Sequence, residues 1–143
     1  KAIKNKIKYK IIHSASVFDA IAETGLHLYK FGKTASLPKY IKNFAPTSFI
    51  EIIKDNQKIK AHTLVLIDIG LNFEDAREQL KKTDYNLFNK EKIIVCSQLG
   101  FKSKIFYDKL ENINAEKIKE PYCIIIPSEL HFSEEEALKM IIK

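Results

Sequence analysis

An α/β domain, with a mixed sheet layered by helices, is the fold class this sequence predicts, and three observations predict it. Three short apolar runs, at residues 62–69, Lys92–Ser97 and Tyr122–Ile126, have the length and β-branched content of strands covered on both faces. Between them lie segments with helical apolar spacing and helix-start signals. A length of 143 residues at 45% hydrophobic content is enough for one domain with its own core, uninterrupted by repeats or low-complexity sequence.

The elements follow in order. The first ten residues, KAIKNKIKYK, hold five Lys and no acid, and read as a solvated basic linker or the end of a preceding strand. Residues 8–13 are a β-rich run, and Ser14-Ala15-Ser16 offers a hydroxyl cap to a helix bearing Val17, Phe18, Ile21 and Ala22 that Gly25 closes. Residues 26–31 alternate as a strand would, and Gly32 and Pro38 mark a loop after it. Ser48 and Glu51 stand in capping-box spacing at the start of a helix ending near Asn56.

Residues 62–69 predict the central strand, which stops at Gly70. Asn72 caps a helix that turns Phe73, Ala76 and Leu80 inward and pairs Glu78 with Lys82 outside. Residues 84–90 read as a loop, Lys92–Ser97 as a buried strand, residues 104–112 as a short strand running into a helix, and Tyr122–Ile126 as a third buried strand. Ser133 and Glu136, in a second capping box, open the last helix with acids at the positive end of its dipole.

Composition excludes several functions. The formal charge of +6 is concentrated in the opening Lys tract, which leaves the rest of the chain close to neutral. Arg77 is the one arginine, whereas base-edge and phosphate recognition favour the arginine fork, so a dedicated nucleic-acid module is disfavoured. No apolar run approaches the roughly 20 residues of a membrane helix. Cys96 and Cys123 both lie in apolar runs and predict buried free thiols in a reducing compartment, with no metal-ligand spacing around them. The glycines at 25, 32, 70 and 100 are too dispersed for a phosphate loop, and no nucleophile motif is present. The chain opens on Lys1 instead of Met, which predicts a processed chain or a piece of a longer protein.

Ligands in open α/β sheets collect where strands end. Four such ends stand out: His13 to Val17, Ile67-Asp68, Gln98-Leu99-Gly100 and Leu130-His131. Each also has a plainer reading: Ser16 as a helix cap, Asp68 as a loop-capping carboxylate, Leu99 as core and His131 as a core or cap histidine. Alone they define no reaction.

The blocks Gly25-Leu26-His27-Leu28-Tyr29-Lys30-Phe31-Gly32-Lys33-Thr34, Pro46-Thr47-Ser48-Phe49, His62-Thr63-Leu64 and Asp68-Ile69, with the closing Ile126-Pro127-Ser128-Glu129-Leu130-His131, resemble the second half of the diphthine synthases. That family belongs to the S-adenosylmethionine-dependent tetrapyrrole methylase superfamily, and the resemblance runs from about Ile11 to Leu138.

The resemblance implies residues 1–10 as interdomain linker and 11–143 as the C-terminal α/β domain, with the N-terminal domain absent from this chain. It implies methylation of the modified histidine of translation elongation factor 2 in diphthamide synthesis, in a cytoplasmic homodimer, with S-adenosyl-L-methionine as methyl donor and no metal, nucleic acid or membrane. The donor lies between the two domains, so this chain supplies half of the cleft and is inactive by itself. Carried over residue by residue, the donor contacts are Ser16, Val17, Ile67, Leu99 and His131, and no residue is assigned catalysis. Leu99 stands where a small residue is common, Ala61 where Gly often precedes the strand at residues 62–69, and Ser128 where Gly is usual; from the bulk of Leu99 a narrowed adenine pocket is expected. Two other readings stay open: another methylase of the superfamily, acting on a corrinoid, a sirohaem precursor or ribosomal RNA, and a non-catalytic dimerisation or docking module.

Overall fold

The computed structural model describes residues 4–8 and 15–141. Five strands, β1 (Ala35–Leu37), β2 (Thr63–Ile67), β3 (Lys92–Ser97), β4 (Lys104–Lys109) and β5 (Tyr122–Ile126), form one sheet in the order β1-β2-β5-β3-β4. β1 is parallel to β2, β5 inserts antiparallel between β2 and β3, and β4 pairs antiparallel with β3. The sheet is mixed, as the sequence predicts.

The three inner strands, β2, β5 and β3, are apolar on both faces because both faces are covered. Val65, Ile93, Val95, Ile124 and Ile126 point into one core, while Leu64, Ile94, Cys96, Cys123 and Ile125 point into the other, as the two-residue period of a strand dictates. The first core is closed by α2 (Ser48–Lys58), α3 (Phe73–Thr83) and α4 (Tyr85–Lys90) through Phe49, Ile53, Phe73, Leu80 and Phe88. The second is closed by the segment containing α1 (Val17–Ala20) and the 3-10 turn Ile21–Thr24, and by α5 (Phe132–Ile141), through Ile21, Leu26 and Leu138. Each such side chain contributes roughly 1.5–3 kcal/mol on burial. Gly25 takes a left-handed φ of 72° at the end of that turn and packs on Ala137 of α5, where a Cβ would collide.

Local signals that conflict with tertiary pairing account for the differences from expectation. Residues 26–31 form a 3-10 turn, Leu28–Lys30, not a strand. Only Phe31 bridges the sheet, with Gly32 N donating to His62 O and His62 N to Lys30 O, and Tyr29 is exposed. The strand of this region is β1, inside the predicted loop; its three residues are too few for periodicity to register, yet Ala35 and Leu37 are buried against β2. In α2 Ser48 is already helical and Thr47 holds the cap position without a side-chain bond, so the capping box does not form, and the helix runs on to Lys58.

Asn72 caps α3 as predicted, accepting from Asp75 N. The ion pair described on α3 joins Glu74 and Arg77 instead of Glu78 and Lys82. The predicted loop at 84–90 is α4, capped by Asp84 accepting from Leu87 N. β4 takes up most of residues 104–112 and the chain then turns, burying Leu110 and Ile113, so the helix predicted there does not form; the 3-10 turn Ala115–Lys117 comes after it. α5 begins at Phe132, two residues' shift from the predicted capping box: it is Glu134, not Glu136, that reaches back, its Oε2 accepting from His131 N at 2.7 Å. Most of the run at 8–13, with His13 and Ser14, lies outside the described residues. Among those residues no helix is long and apolar enough to cross a membrane.

Candidate functional site

Because β5 runs antiparallel between them, β2 and β3 point the same way, and their C-terminal ends meet the start of β5 at one end of the sheet. A cavity of about 470 Å³ opens there. Ser16 and Val17 line it from the start of α1, Ile67 from the end of β2, and Leu99 from the turn after β3. Four of the five donor contacts implied by the resemblance therefore share one cavity. Cys96, Tyr122 and Cys123 complete its wall on the sheet side.

The local chemistry that builds this site is mostly structural. Ser16 Oγ accepts from Phe18 N at 3.2 Å, so the hydroxyl caps α1. Asp68, one residue beyond the lining Ile67, accepts from Ile69 N at 3.0 Å and Lys39 N at 3.3 Å, which is the loop-capping role. Tyr122 donates to Leu71 O at 2.8 Å, and burial pushes its phenol up, keeping it neutral. Among the described residues, no Asp, Glu, His, Lys or Arg lines the cavity. What the described walls offer a ligand is shape, apolar contact and short polar groups.

His131 is elsewhere. Ile126 pairs with Thr63 and Cys123 with Leu66, so the chain leaving β5 emerges at the opposite end of the sheet from the cavity. There His131 occupies the start of α5, its Nδ1 2.8 Å from Ser133 Oγ, and Ser133 Oγ lies 3.1 Å from His27 Nε2. The structure does not bring His131 to the other four residues, and its position is the plainer one, a cap histidine.

Beside it is a cluster that sequence reasoning missed. Glu134, wholly buried, accepts through Oε1 from His27 N (2.8 Å) and His62 Nε2 (3.1 Å), and through Oε2 from Lys30 Nζ (2.6 Å) and His131 N (2.7 Å). Burial alone would raise its carboxyl, but hydrogen bonds from His131 N, Lys30, His27 N and His62 outweigh it and hold the pKa at about 2. His62 is buried too, which depresses its pKa; its Nδ1 accepts from Ser128 N at 2.9 Å, so the neutral ring donates through Nε2. The Glu134 and His62 letters in sequence carry no sign of this, because the partners come from three separated segments. Among the described residues, no group of three or more His, Cys, Asp or Glu is arranged to hold a metal ion.

No family model matches the chain. Curated relatives do. The diphthine synthase of Methanococcus maripaludis is 37% identical over 154 aligned positions, covering 99% of this chain and 60% of the relative. That of Methanocaldococcus jannaschii is 36% identical, with coverage of 99% and 61%. A crystal structure of diphthine synthase superposes with a TM-score of 0.85 at 29% identity, covering 99% of this chain and 57% of that one. The chain thus spans about three fifths of the length of the curated relatives it matches, and over that span it is a homologue of the diphthine synthases.

Proposed function

We propose that this chain is the C-terminal α/β domain of a diphthine-synthase-type methyltransferase and that the cavity at the ends of β2 and β3 takes part of the methyl donor, S-adenosyl-L-methionine. The observation that carries this reading is the convergence of Ser16, Val17, Ile67 and Leu99 on that one cavity. The uncharged, largely apolar lining suits a nucleoside face, and it suits a reaction that needs no protein nucleophile. When bound, the donor supplies an activated methyl group on a sulfonium centre. The contribution of this chain is to bind and orient: Ile67 and Leu99 form walls, and the capped turn at Ser16 and Val17 keeps the edge rigid. His131, at the far end of the sheet, is given no donor contact.

In this reading the linker at residues 1–10 leads from an N-terminal domain that covers the cavity. Phe18, Ile69 and Phe101, all exposed and close in sequence to the lining residues, are the apolar surface such a domain would bury. The substrate is the modified histidine of elongation factor 2, met in the cytoplasm by a homodimer of the full-length enzyme.

Calorimetric titration of S-adenosyl-L-methionine into this chain and into the full-length protein tests the reading. Weak saturable binding to the chain and tighter binding to the full-length protein are expected. Ile67→Trp, which fills the cavity, abolishes both, and only the full-length protein transfers labelled methyl to the elongation factor. Unchanged donor affinity in the full-length Ile67→Trp variant would sink it.

A further inference from the structure

The β3–β5 register sets Cys96 directly opposite Cys123. Two positions along, Gln98 N donates to Pro121 O at 2.9 Å. By the alternation of an antiparallel ladder, Cys96 and Cys123 are then also a hydrogen-bonded pair, with Cα atoms about 5.5 Å apart. That separation lies inside the roughly 4.4–6.8 Å window of a disulfide. Both side chains belong to the same face of the sheet and to the same core. Both are free and buried. Buried thiols are ordinarily inert because reagents cannot reach them. These two differ in that both residues line the 470 Å³ cavity, which brings a small molecule that enters it next to them.

We propose that Cys96 and Cys123 form a thiol-modification site on the cavity wall, which a small-molecule disulfide converts into an intramolecular disulfide joining β3 to β5. Cys123 loses its proton and its sulfur attacks one sulfur of the reagent, forming a mixed disulfide and releasing one small thiol, which takes up the proton. Cys96 then loses its proton and attacks the Cys123 sulfur, releasing the second small thiol. Two protein thiols are oxidised and one small disulfide is reduced to two thiols. Cys123 enters first because it is the less deeply buried of the two, and the Cys96 thiol beside it lowers its pKa while that of Cys96 is pushed up. The site is independent of what ligand the cavity serves.

The test treats the chain with oxidised glutathione, quenches in denaturant with an alkylating agent and reads the intact mass. The expected product has lost both alkylatable thiols together and retains no glutathione. Cys96→Ser stops at a glutathione adduct on Cys123, and Ala20→Trp, which narrows the cavity that Ala20 lines, slows closure by about tenfold or more. In the unmodified sequence the rate is flat across low denaturant, as access through the folded cavity requires. Two thiols that persist, two unbridged glutathione adducts, or a rate that rises with denaturant in step with global unfolding would each overturn the proposal.

Discussion

The two ends of this sheet do opposite work. At one end β2 and β3 finish around a cavity that, among the described residues, is lined without any charged side chain. At the other, where β2 begins and β5 ends, one buried carboxylate gathers four donors from residues 27–30, 62 and 131. The second arrangement spends every lone pair of Glu134 internally and leaves nothing to offer a ligand, whereas the first leaves its walls open. The difference teaches that a dense cluster of titratable groups is not by itself a site: here the chemistry-rich end fastens the fold and the chemistry-poor end has room for a guest.

The largest test of that contrast removes the fastening. Glu134→Ala strips the Lys30 ammonium of its counter-charge, leaving it only Glu129 O, and leaves the His62 N–H and two backbone N–H groups without their acceptor; it should cost about 3–5 kcal/mol in urea unfolding. Cavity thiol chemistry in the folded fraction should survive it.

Acid attacks the same end. The folded pKa of Glu134, about 2, lies below its ordinary 4.5, so its contribution is present above pH 4.5 and is lost as pH falls toward 2. The shift corresponds to about 3 kcal/mol. His62 acts in the same direction and earlier: its folded pKa is below 6.5, the unfolded chain takes up the proton first, and stability declines as pH falls below 6.5. Unfolding midpoints measured from pH 7 to 3 should fall in these two stages, and Glu134→Gln should lose the lower one.

Gly25→Ala forces a side chain into a left-handed turn and against Ala137, loosening α5 from the turn before it. A loss of about 1–2 kcal/mol in thermal or urea unfolding is expected. The smallest effect belongs to the cavity end. Ser16→Ala removes a cap from a four-residue helix and should cost about 0.5 kcal/mol of stability. If donor affinity of the full-length protein falls by no more than that, the hydroxyl is a cap and the ligand meets backbone; a larger fall assigns it a direct contact.

Much of the architecture was legible in order along the chain. The three covered strands, the cap at Asn72 and the buried state of both cysteines follow from local apolar pattern and side-chain chemistry alone; the grouping of Ser16, Val17, Ile67 and Leu99 needed the family resemblance and the shared direction of β2 and β3. β1 was not legible: three residues carry no period, and only the edge of β2 makes them a strand. Nor was the 3-10 turn Leu28–Lys30, whose alternation imitates a strand while its carbonyls bond locally. His131 shows the limit most sharply. As a strand-end residue it is indistinguishable in sequence from Ile67 or Leu99, but β5 runs opposite to its neighbours and delivers it to the other end of the sheet.

Strand identity, burial and the uncharged character of the lining were thus set by the order of residues, since each depends on side chains within a few positions of one another. Strand direction, the pairing of Cys96 with Cys123 and the convergence on Glu134 were set only by the assembled sheet, because register and long-range hydrogen bonds join segments whose separation along the chain leaves no local trace.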